Sequence, residues 1–266
     1  MPLLPFDILL SLPAFALVLT RVSGLMIAAP IFGSSVIPAR IRVAMVVALA
    51  TMTFPLAARH IPVDITLSAA LVGGVGELMI GVILGLSLSL LLMGAEVGGM
   101  MVGRQAGIAL ANVFNPASDS QVSITGQVYT IAFTVVFLLA GGHRAAVAAL
   151  LDTFDVIPVL SFQMNESFML LLVEMLAAAF ILGIRLAGPV LIALFLVGTT
   201  LAFLSRTMPQ LNILTVGFAI RAITALAIAA LAMGASEDLL VDAVWEGVER
   251  IRLTFGLDPT LNRLVN

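Results

Sequence analysis

Long apolar stretches separated by short polar breaks dominate the hydrophobic pattern of this chain. Several stretches reach or approach the roughly 20 apolar residues that cross a bilayer core as a helix. No series of short segments with alternating apolar and polar residues is visible, which argues against a membrane β-barrel. The pattern therefore predicts an all-α integral membrane protein. Its predicted helical segments cover about 8–29, 41–58, 67–107, 122–141, 145–160, 168–204, 213–234 and 237–255.

The segment from 67 to 107 combines a long apolar run with closely spaced glycines and is followed by a polar stretch. Gly99, Gly103 and Gly107 recur every fourth residue, so on a helix they share one face that another backbone can approach closely. The following residues, 112–121, read NVFNPASDSQ, and their Pro, Asn, Asp and Ser favour turns. The backbone of such a loop needs partners other than lipid. The pattern is typical of a gate, in which a packed helix delivers an irregular loop into a membrane assembly.

Charged side chains inside the apolar segments are expected to face protein or to be paired. Arginine at the centre of a span costs roughly 2.5–3.5 kcal/mol on insertion scales, so Arg21 should face protein or water, or snorkel from a span end. Glu77 and Glu96 are too far apart to be neighbours in one straight helix. Each would pair with an arginine of another helix or carry a proton, and pairing is the preferred interpretation. Arg221 lies inside the span predicted at 213–234.

Two segments do not fit the pattern of simple spans. The 168–204 stretch is too long for one conventional span, so it forms either a tight hairpin near Gly183 to Pro189 or a kinked helix that extends beyond the bilayer. In the 237–255 stretch, apolar and charged residues lie on opposite helix faces, which predicts an amphipathic helix on a membrane or partner surface. Trp245 would lie at the membrane interface.

The composition supports a membrane protein and excludes several kinds of chemistry. Of the 266 residues, 61% are hydrophobic and 10% are charged, against roughly 25% charged in soluble domains. The chain contains no cysteine and no lysine, which excludes thiol catalysis, disulfides and lysine Schiff bases. His60 and His143 are far apart, so we expect no metal site and no cofactor. The net charge of −3 and the absence of a basic tract argue against nucleic acid as a partner.

Short motifs follow one another in a characteristic order. The first half contains Arg21, Pro30, Gly33, Pro38 and Arg40, then Glu77, Gly81 and Gly85, then Glu96 and glycines leading to Phe114-Asn115-Pro116-Ala117-Ser118. The second half contains Gly142-His143, Asp152-Thr153-Phe154, the RLAGP motif at 185–189 and the RTMPQLNI motif at 206–213. Their order and spacing resemble the FliR/SctT family of type III secretion export-gate proteins. One departure is Asn115, since members often carry Asp before this proline; Asn also favours turns.

The resemblance implies an export gate in the bacterial inner membrane, at the flagellar basal body or in an injectisome. It implies helical hairpins packed against FliP-like and FliQ-like subunits, with residues 1–205 as a FliP-like region and 206–266 as a FliQ-like region. FlhB-like and FlhA-like export components and unfolded protein substrates would be further partners. The loop at about 108–121 resembles the segment that plugs the closed channel. Its candidate gate residues are Phe114, Asn115, Pro116, Ser118 and Asp119.

Two other interpretations compete with the export gate. A secondary transporter would explain Glu77, Glu96 and Arg221 within apolar segments and an interrupted helix near Pro189, although no internal repeat is visible. An intramembrane enzyme is less favoured because no nucleophile, metal-ligand or dinucleotide-binding pattern is present, and we expect no enzymatic activity. At the polar break, Arg206 and Gln210 would either contact a partner subunit or satisfy backbone groups.

Overall fold

The computed structural model describes residues 5–33, 37–57, 67–108, 123–208 and 213–257, and within these ranges it contains helices and no strand. The predicted all-α membrane class is confirmed, and every predicted helical segment contains one helix. The helices are α1 (Pro5–Ala28), α2 (Ala39–Ala57), α3 (Leu67–Gln105), α4 (Ile124–Leu139), α5 (Gly142–Val156), α6 (Glu166–Thr207), α7 (Ile213–Ala235) and α8 (Glu237–Thr254).

Four of the described helices, α2, α3, α6 and α7, are long and apolar enough to cross a bilayer, and α4 with α5 would add a fifth span if they count as one. Helix α3 has 39 residues and α6 has 42. At the usual rise of 1.5 Å per residue they are about 58 Å and 63 Å long, twice the roughly 30 Å of a hydrocarbon core. Membrane helices tilt by at most about 40°, so both extend beyond the core.

The 168–204 stretch forms a single helix and not a hairpin. Pro189 lies inside α6, where it removes one backbone hydrogen bond without ending the helix. Gly183 is also helical, and a Cβ atom added to it would lie only 2.6 Å from the carbonyl oxygen of Gly94 on α3. Gly183 thus allows the backbones of α3 and α6 to pack closely and does not form a turn. Of the two predicted alternatives for this stretch, the long helix that extends beyond the bilayer is correct.

Contacts within the chain divide it into two compact units, each assembled from separate segments. Unit 1 comprises Met1–Leu90, Gly141–Met175 and Val244–Asn266, and unit 2 comprises Leu91–Ala140 and Leu176–Ala243. These units are defined by contacts inside the chain. The predicted FliP-like region at 1–205 and FliQ-like region at 206–266 concern likeness to other subunits, and that division stays a prediction.

In unit 1, α1 and α3 cross where both helices carry glycine. A Cβ atom added to Gly24 of α1 would collide with backbone atoms of Leu78 and Gly81 on α3. One added to Gly85, a turn further along α3, would lie 2.7 Å from the backbone nitrogen of Ala29. The two backbones are therefore in direct contact, an arrangement that small residues permit between membrane helices.

Helix α8 is amphipathic as predicted, but its apolar face was assigned to the wrong surface. Val244, Val248 and Ile251 are at most 2% exposed, and Trp245 is half-buried. Val248 and Ile251 meet residues of α3 and α5 within the same unit: Leu84, Leu88, Ala145, Ala146 and Ala149. The face therefore packs on its own chain and not on a membrane or partner surface. The small alanine side chains of α5 make room for it.

An ion pair fixes this end of α8 in unit 1. Arg252 is 1% exposed and its Nη2 lies 2.7 Å from Oδ2 of Asp152 on α5. Arg250 reaches Glu246 at 2.6 Å and Glu174 of α6 at 3.6 Å, both nearer the surface. Beside these pairs, the rings of Phe168 and Phe255 lie 4.9 Å apart between centroids. Charge pairing and ring packing together hold the C-terminal turn of α8 against the unit 1 core.

We predict that Gly183→Ala destabilises the protein whereas Gly188→Ala does not. A methyl group at 183 would overlap the backbone of α3, whereas nothing lies within 4 Å of the added Cβ at Gly188 on the same helix. Overpacking of this kind costs about 1–3 kcal/mol, whereas Gly→Ala at an open helical position gains up to about 1 kcal/mol. The thermal unfolding midpoint in detergent measures both effects. Equal midpoints for the two variants would contradict the close crossing of α3 and α6.

Candidate functional site

A buried ion pair joins α1 to α3 in unit 1. Nε of Arg21 lies 2.6 Å from Oε2 of Glu77, and both side chains are 0% exposed. The sequence-based expectation that Arg21 faces protein is met. Of the two interpretations of Glu77, the structure contains the pairing with an arginine of another helix. Because both charges are removed from solvent, each one depends on the other and on further hydrogen bonds.

Those further hydrogen bonds come from α5 and the turn that follows it. Nη1 of Arg21 donates to Oγ1 of Thr153 at 3.2 Å, and Nη2 donates to the carbonyl oxygen of Ile157 at 3.1 Å. The Phe154 ring covers the guanidinium group, with 4.2 Å between Cζ and the ring centroid, a cation–π distance. Arg21 therefore uses all three of its nitrogens to hold three parts of unit 1 together.

The carboxylate of Glu77 completes the arrangement by holding a strained backbone. Its Oε1 accepts a hydrogen bond from the backbone N–H of Leu160 at 2.9 Å. Leu160 has φ of 72° and is the one non-glycine residue with positive φ in the described part of the chain. Such a conformation costs of order 1–3 kcal/mol and persists only where its surroundings enforce it. We call the set Arg21, Glu77, Thr153, Phe154, Ile157 and Leu160 the Arg21 cluster.

Glycines on α3 make room for the turn that the cluster holds. A Cβ atom at Gly73 would overlap the Leu160 side chain, and one at Gly76 would lie 3.2 Å from Cβ of Phe162. These contacts and the roles of Thr153 and Phe154 are not predicted by the sequence pattern. Thr153 and Phe154 could still have been singled out from the sequence, because both belong to the Asp152-Thr153-Phe154 motif. Nothing in the sequence identifies Ile157 or Leu160, which act through backbone atoms.

In unit 2, the glycines of α3 face two different helices. Cβ atoms at Gly94 and Gly98 would meet the backbone of α6, and the one at Gly98 would lie 2.6 Å from the carbonyl oxygen of Gly183. A Cβ atom at Gly99 would lie 2.6 Å from the carbonyl oxygen of Thr125, at the start of α4. One at Gly103 would overlap the hydroxyl of the same threonine.

Gly107 does not belong to this packing face. Helix α3 ends at Gln105, and Gly107 follows with φ of 82°, a conformation that favours glycine. Its backbone N–H donates to the carbonyl oxygen of Arg104 at 3.1 Å. The predicted ladder of three glycines is thus corrected: Gly99 and Gly103 lie on the packed helix, and Gly107 helps to end it. Residue spacing alone does not show where a helix stops.

The remaining predicted site residues are not brought together. Glu96 is exposed on α3 and forms no ion pair with any residue that the structure describes, and Arg206 is exposed near the end of α6. Arg221 is partly buried on α7, against Gly198 of α6. The candidate gate residues Phe114, Asn115, Pro116, Ser118 and Asp119 lie outside the described residues, as does Gln210. Within the described ranges, no three His, Asp or Glu side chains lie close enough to hold a metal ion.

The chain matches a known protein family over most of its length. A family model described as bacterial export proteins, family 1, matches residues 12–246. The chain belongs to this family. It is 29% identical over 214 residues to the flagellar biosynthetic protein FliR of Bacillus subtilis (strain 168), covering 79% of this chain and 82% of that relative. The resemblance derived from the motifs is therefore confirmed.

Two further relatives show the breadth of the family. Flagellar biosynthetic protein FliR of Escherichia coli (strain K12) is 27% identical over 201 residues, 75% of this chain and 76% of that relative. Yop proteins translocation protein T of Yersinia pestis is 30% identical over 185 residues, 68% of this chain and 70% of that relative. With its apolar helices, this member of the export family is a multi-pass membrane protein and a subunit of a type III export apparatus.

Removing one half of the buried ion pair should destabilise the protein strongly. Arg21→Met leaves the Glu77 carboxylate buried without a counter-charge, which typically costs about 3–5 kcal/mol. The double variant Arg21→Met/Glu77→Leu removes both charges and should recover part of that loss. Thermal unfolding in detergent gives the comparison.

Arg250→Met provides the matched control for this experiment. Its pair with Glu174 is longer, 3.6 Å, and the two side chains are 36% and 45% exposed. Exposed pairs contribute about 0–1 kcal/mol, so little change is expected. If Arg21→Met unfolded at the same temperature as the unaltered chain, the Arg21 cluster would not be a determinant of the fold.

Proposed function

We propose that this chain is a structural and gating subunit of the inner-membrane export gate of a flagellar type III secretion system. In this proposal it forms the channel for unfolded substrates together with FliP-like and FliQ-like subunits, next to FlhB-like and FlhA-like components. It has no enzymatic activity of its own, consistent with relatives that are named as biosynthetic and translocation proteins. The single observation that carries the gating role is the anchoring of the two ends of the polar 109–122 segment.

Both ends of that segment are fixed at the same end of α3. Before it, α3 closes with Gly107, and after it Ser123 caps α4 by accepting a hydrogen bond from the Gly126 N–H at 3.1 Å. Ser123 Oγ lies 3.4 Å from where a Cβ atom of Gly103 would be, two residues before the end of α3. The described residues that flank the segment therefore lie near each other at the end of α3, where they form a rigid support for a loop.

The exposure of the helices supports a role within a larger assembly. Only 11% of the apolar window of α2 and of α7 is buried within the chain, compared with 61% for α3. Large side chains such as Phe195 and Phe203 on α6 are 63% and 74% exposed. Lipid or neighbouring subunits must cover these faces. Since α3 and α6 extend well beyond a bilayer core, lipid alone does not account for all of the apolar surface on α6.

The Arg21 cluster argues for the export gate over a secondary transporter. A coupling carboxylate must exchange protons or ions with a pathway, whereas Glu77 is fully buried and paired with Arg21. Its second oxygen is already used by the Leu160 N–H. Glu77 thus has the contacts of a structural residue, so one of the three charged residues that motivated the transporter hypothesis is better explained by folding.

Deleting residues 114–118 should leave the complex assembled but leaky. The deletion removes all candidate gate residues except Asp119 and leaves the anchors at Gly99, Gly103 and Ser123 in place. We expect the tagged variant to copurify with the same subunits as the unaltered chain and to admit ions when expressed in cells. Membrane conductance and solute sensitivity measure the leak, and Gly188→Ala serves as an assembled, sealed control. A deletion complex that assembles and stays impermeable would rule out the plug role.

A further inference from the structure

A polar cavity of unit 2 is lined by two arginines and lies where α3 and α6 end and α7 begins. Its volume is about 490 Å³, and none of the described residues in its wall is an aspartate or a glutamate. The side chains in the wall that can donate hydrogen bonds come from three different helices. Glycines, aliphatic residues and one phenylalanine form the rest of the described wall. The lining includes Arg104, Gln105, Gly198, Ser205, Phe218 and Arg221.

Arg221 has an unused hydrogen-bond donor at this cavity. Its Nε is buried and has no hydrogen-bond partner among the residues that the structure describes. Its Nη2 lies 3.3 Å from where a Cβ atom of Gly198 would be, so the glycine on α6 makes room for the guanidinium group. A buried charged donor without a partner is costly, which indicates that a ligand with acceptor oxygens belongs beside it.

The shortage of ion pairs among the described arginines of unit 2 also supports an anionic ligand in this cavity. Three arginines in the described part of unit 1, Arg21, Arg250 and Arg252, form ion pairs, whereas Arg40 and Arg144 are exposed and form none there. In the described part of unit 2, none of the arginines forms one, and two of them, Arg104 and Arg221, line the same cavity. The nearest acidic residue along α3, Glu96, is eight residues from Arg104, about 12 Å along the helix. Within the described part of unit 2 the positive charge of this cavity is therefore not neutralised, which leaves it available to an anionic ligand.

We propose that this cavity binds the phosphate group of an anionic phospholipid headgroup. Guanidinium groups match phosphate oxygens with two parallel hydrogen bonds, and Gln105 and Ser205 add neutral donors. Leu201 and Phe218 give the same wall an apolar part suited to the start of the acyl chains. Both α6 and α7 are candidate membrane spans, so phospholipid is available at their ends. Basic pockets between membrane helices commonly hold lipid headgroups in this way.

Lipid titration of the purified chain tests this proposal. The full-length chain, with the subunits that copurify with it, is freed of lipid in a neutral detergent and titrated with phosphatidylglycerol while its unfolding midpoint is followed. Parallel titrations use phosphatidylcholine, as a phospholipid without net charge, and sodium phosphate, as the free anion. We expect phosphatidylglycerol to raise the midpoint at the lowest concentration, with sodium phosphate giving no comparable rise.

Variants of the two arginines connect the response to the cavity. Near a membrane surface each arginine contributes about 1 kcal/mol to binding an anionic lipid, so Arg221→Gln should raise the half-saturating concentration about fivefold. Arg104→Gln should do the same, and because Arg104 is exposed this variant remains informative if Arg221→Gln does not fold. Arg185→Gln on α6 is the control, since Arg185 is exposed and does not line the cavity. Its half-saturating concentration should equal that of the unaltered chain.

Three results would overturn the proposal. An equal rise with sodium phosphate would show that the site takes the free anion and not a lipid. An unchanged half-saturating concentration in Arg104→Gln would place the lipid elsewhere. No response of the unaltered chain to phosphatidylglycerol would show that the cavity does not bind an anionic phospholipid. None of these results depends on whether the 109–122 segment acts as a plug.

Discussion

Close approach of helix backbones at glycine is the constraint on which this structure depends. In unit 1, Gly24 of α1 lies against Gly81 of α3, and in unit 2, Gly183 of α6 lies against Gly98. In a bilayer, lipid tails are as apolar as the side chains, so burial alone does not drive helices together. Packing at small residues and internal polar contacts must supply the association, and α3 takes part in both kinds.

The polar contacts of unit 1 depend on that close packing. With α1 and α3 in backbone contact, Arg21 can reach Glu77 at 2.6 Å and still donate to α5 and the turn after it. The pair fixes three helices and a strained turn without exposing a charge to lipid. In the described part of unit 2 the same helix carries its glycines without an equivalent ion pair. Among the residues that the structure describes there, the arginines line a cavity or are exposed, and none of them forms an ion pair.

Much of the fold follows from the hydrophobic pattern, whereas the partners of individual residues do not. The positions of the helices follow from the hydrophobic periodicity and the lengths of the apolar segments. The pairing of Glu77 with an arginine follows from the cost of burying a charge. The helical conformation of Gly183 and Pro189 does not follow from the sequence, because both residues suit a turn as well as a helix. The neighbouring backbone of α3 determines which of the two conformations forms. The apolar face of α8 has the same ambiguity, since amphipathicity does not say whether membrane, partner or its own core covers it. The contributions of Ile157 and Leu160 are backbone contacts that side-chain identity cannot reveal.

Disulfide cross-linking of α3 to α4 tests the central claim most directly, because the chain contains no cysteine of its own. The Cβ position of Gly103 lies 3.4 Å from Cβ of Thr125, close to the separation found in disulfides. In the assembled complex, Gly103→Cys/Thr125→Cys should cross-link within the chain under mild oxidation. Gly188→Cys/Thr125→Cys, which places one thiol at an open position, should not. Failure of the first pair to cross-link in a folded, assembled complex would contradict the glycine-dependent contact that anchors the 109–122 segment.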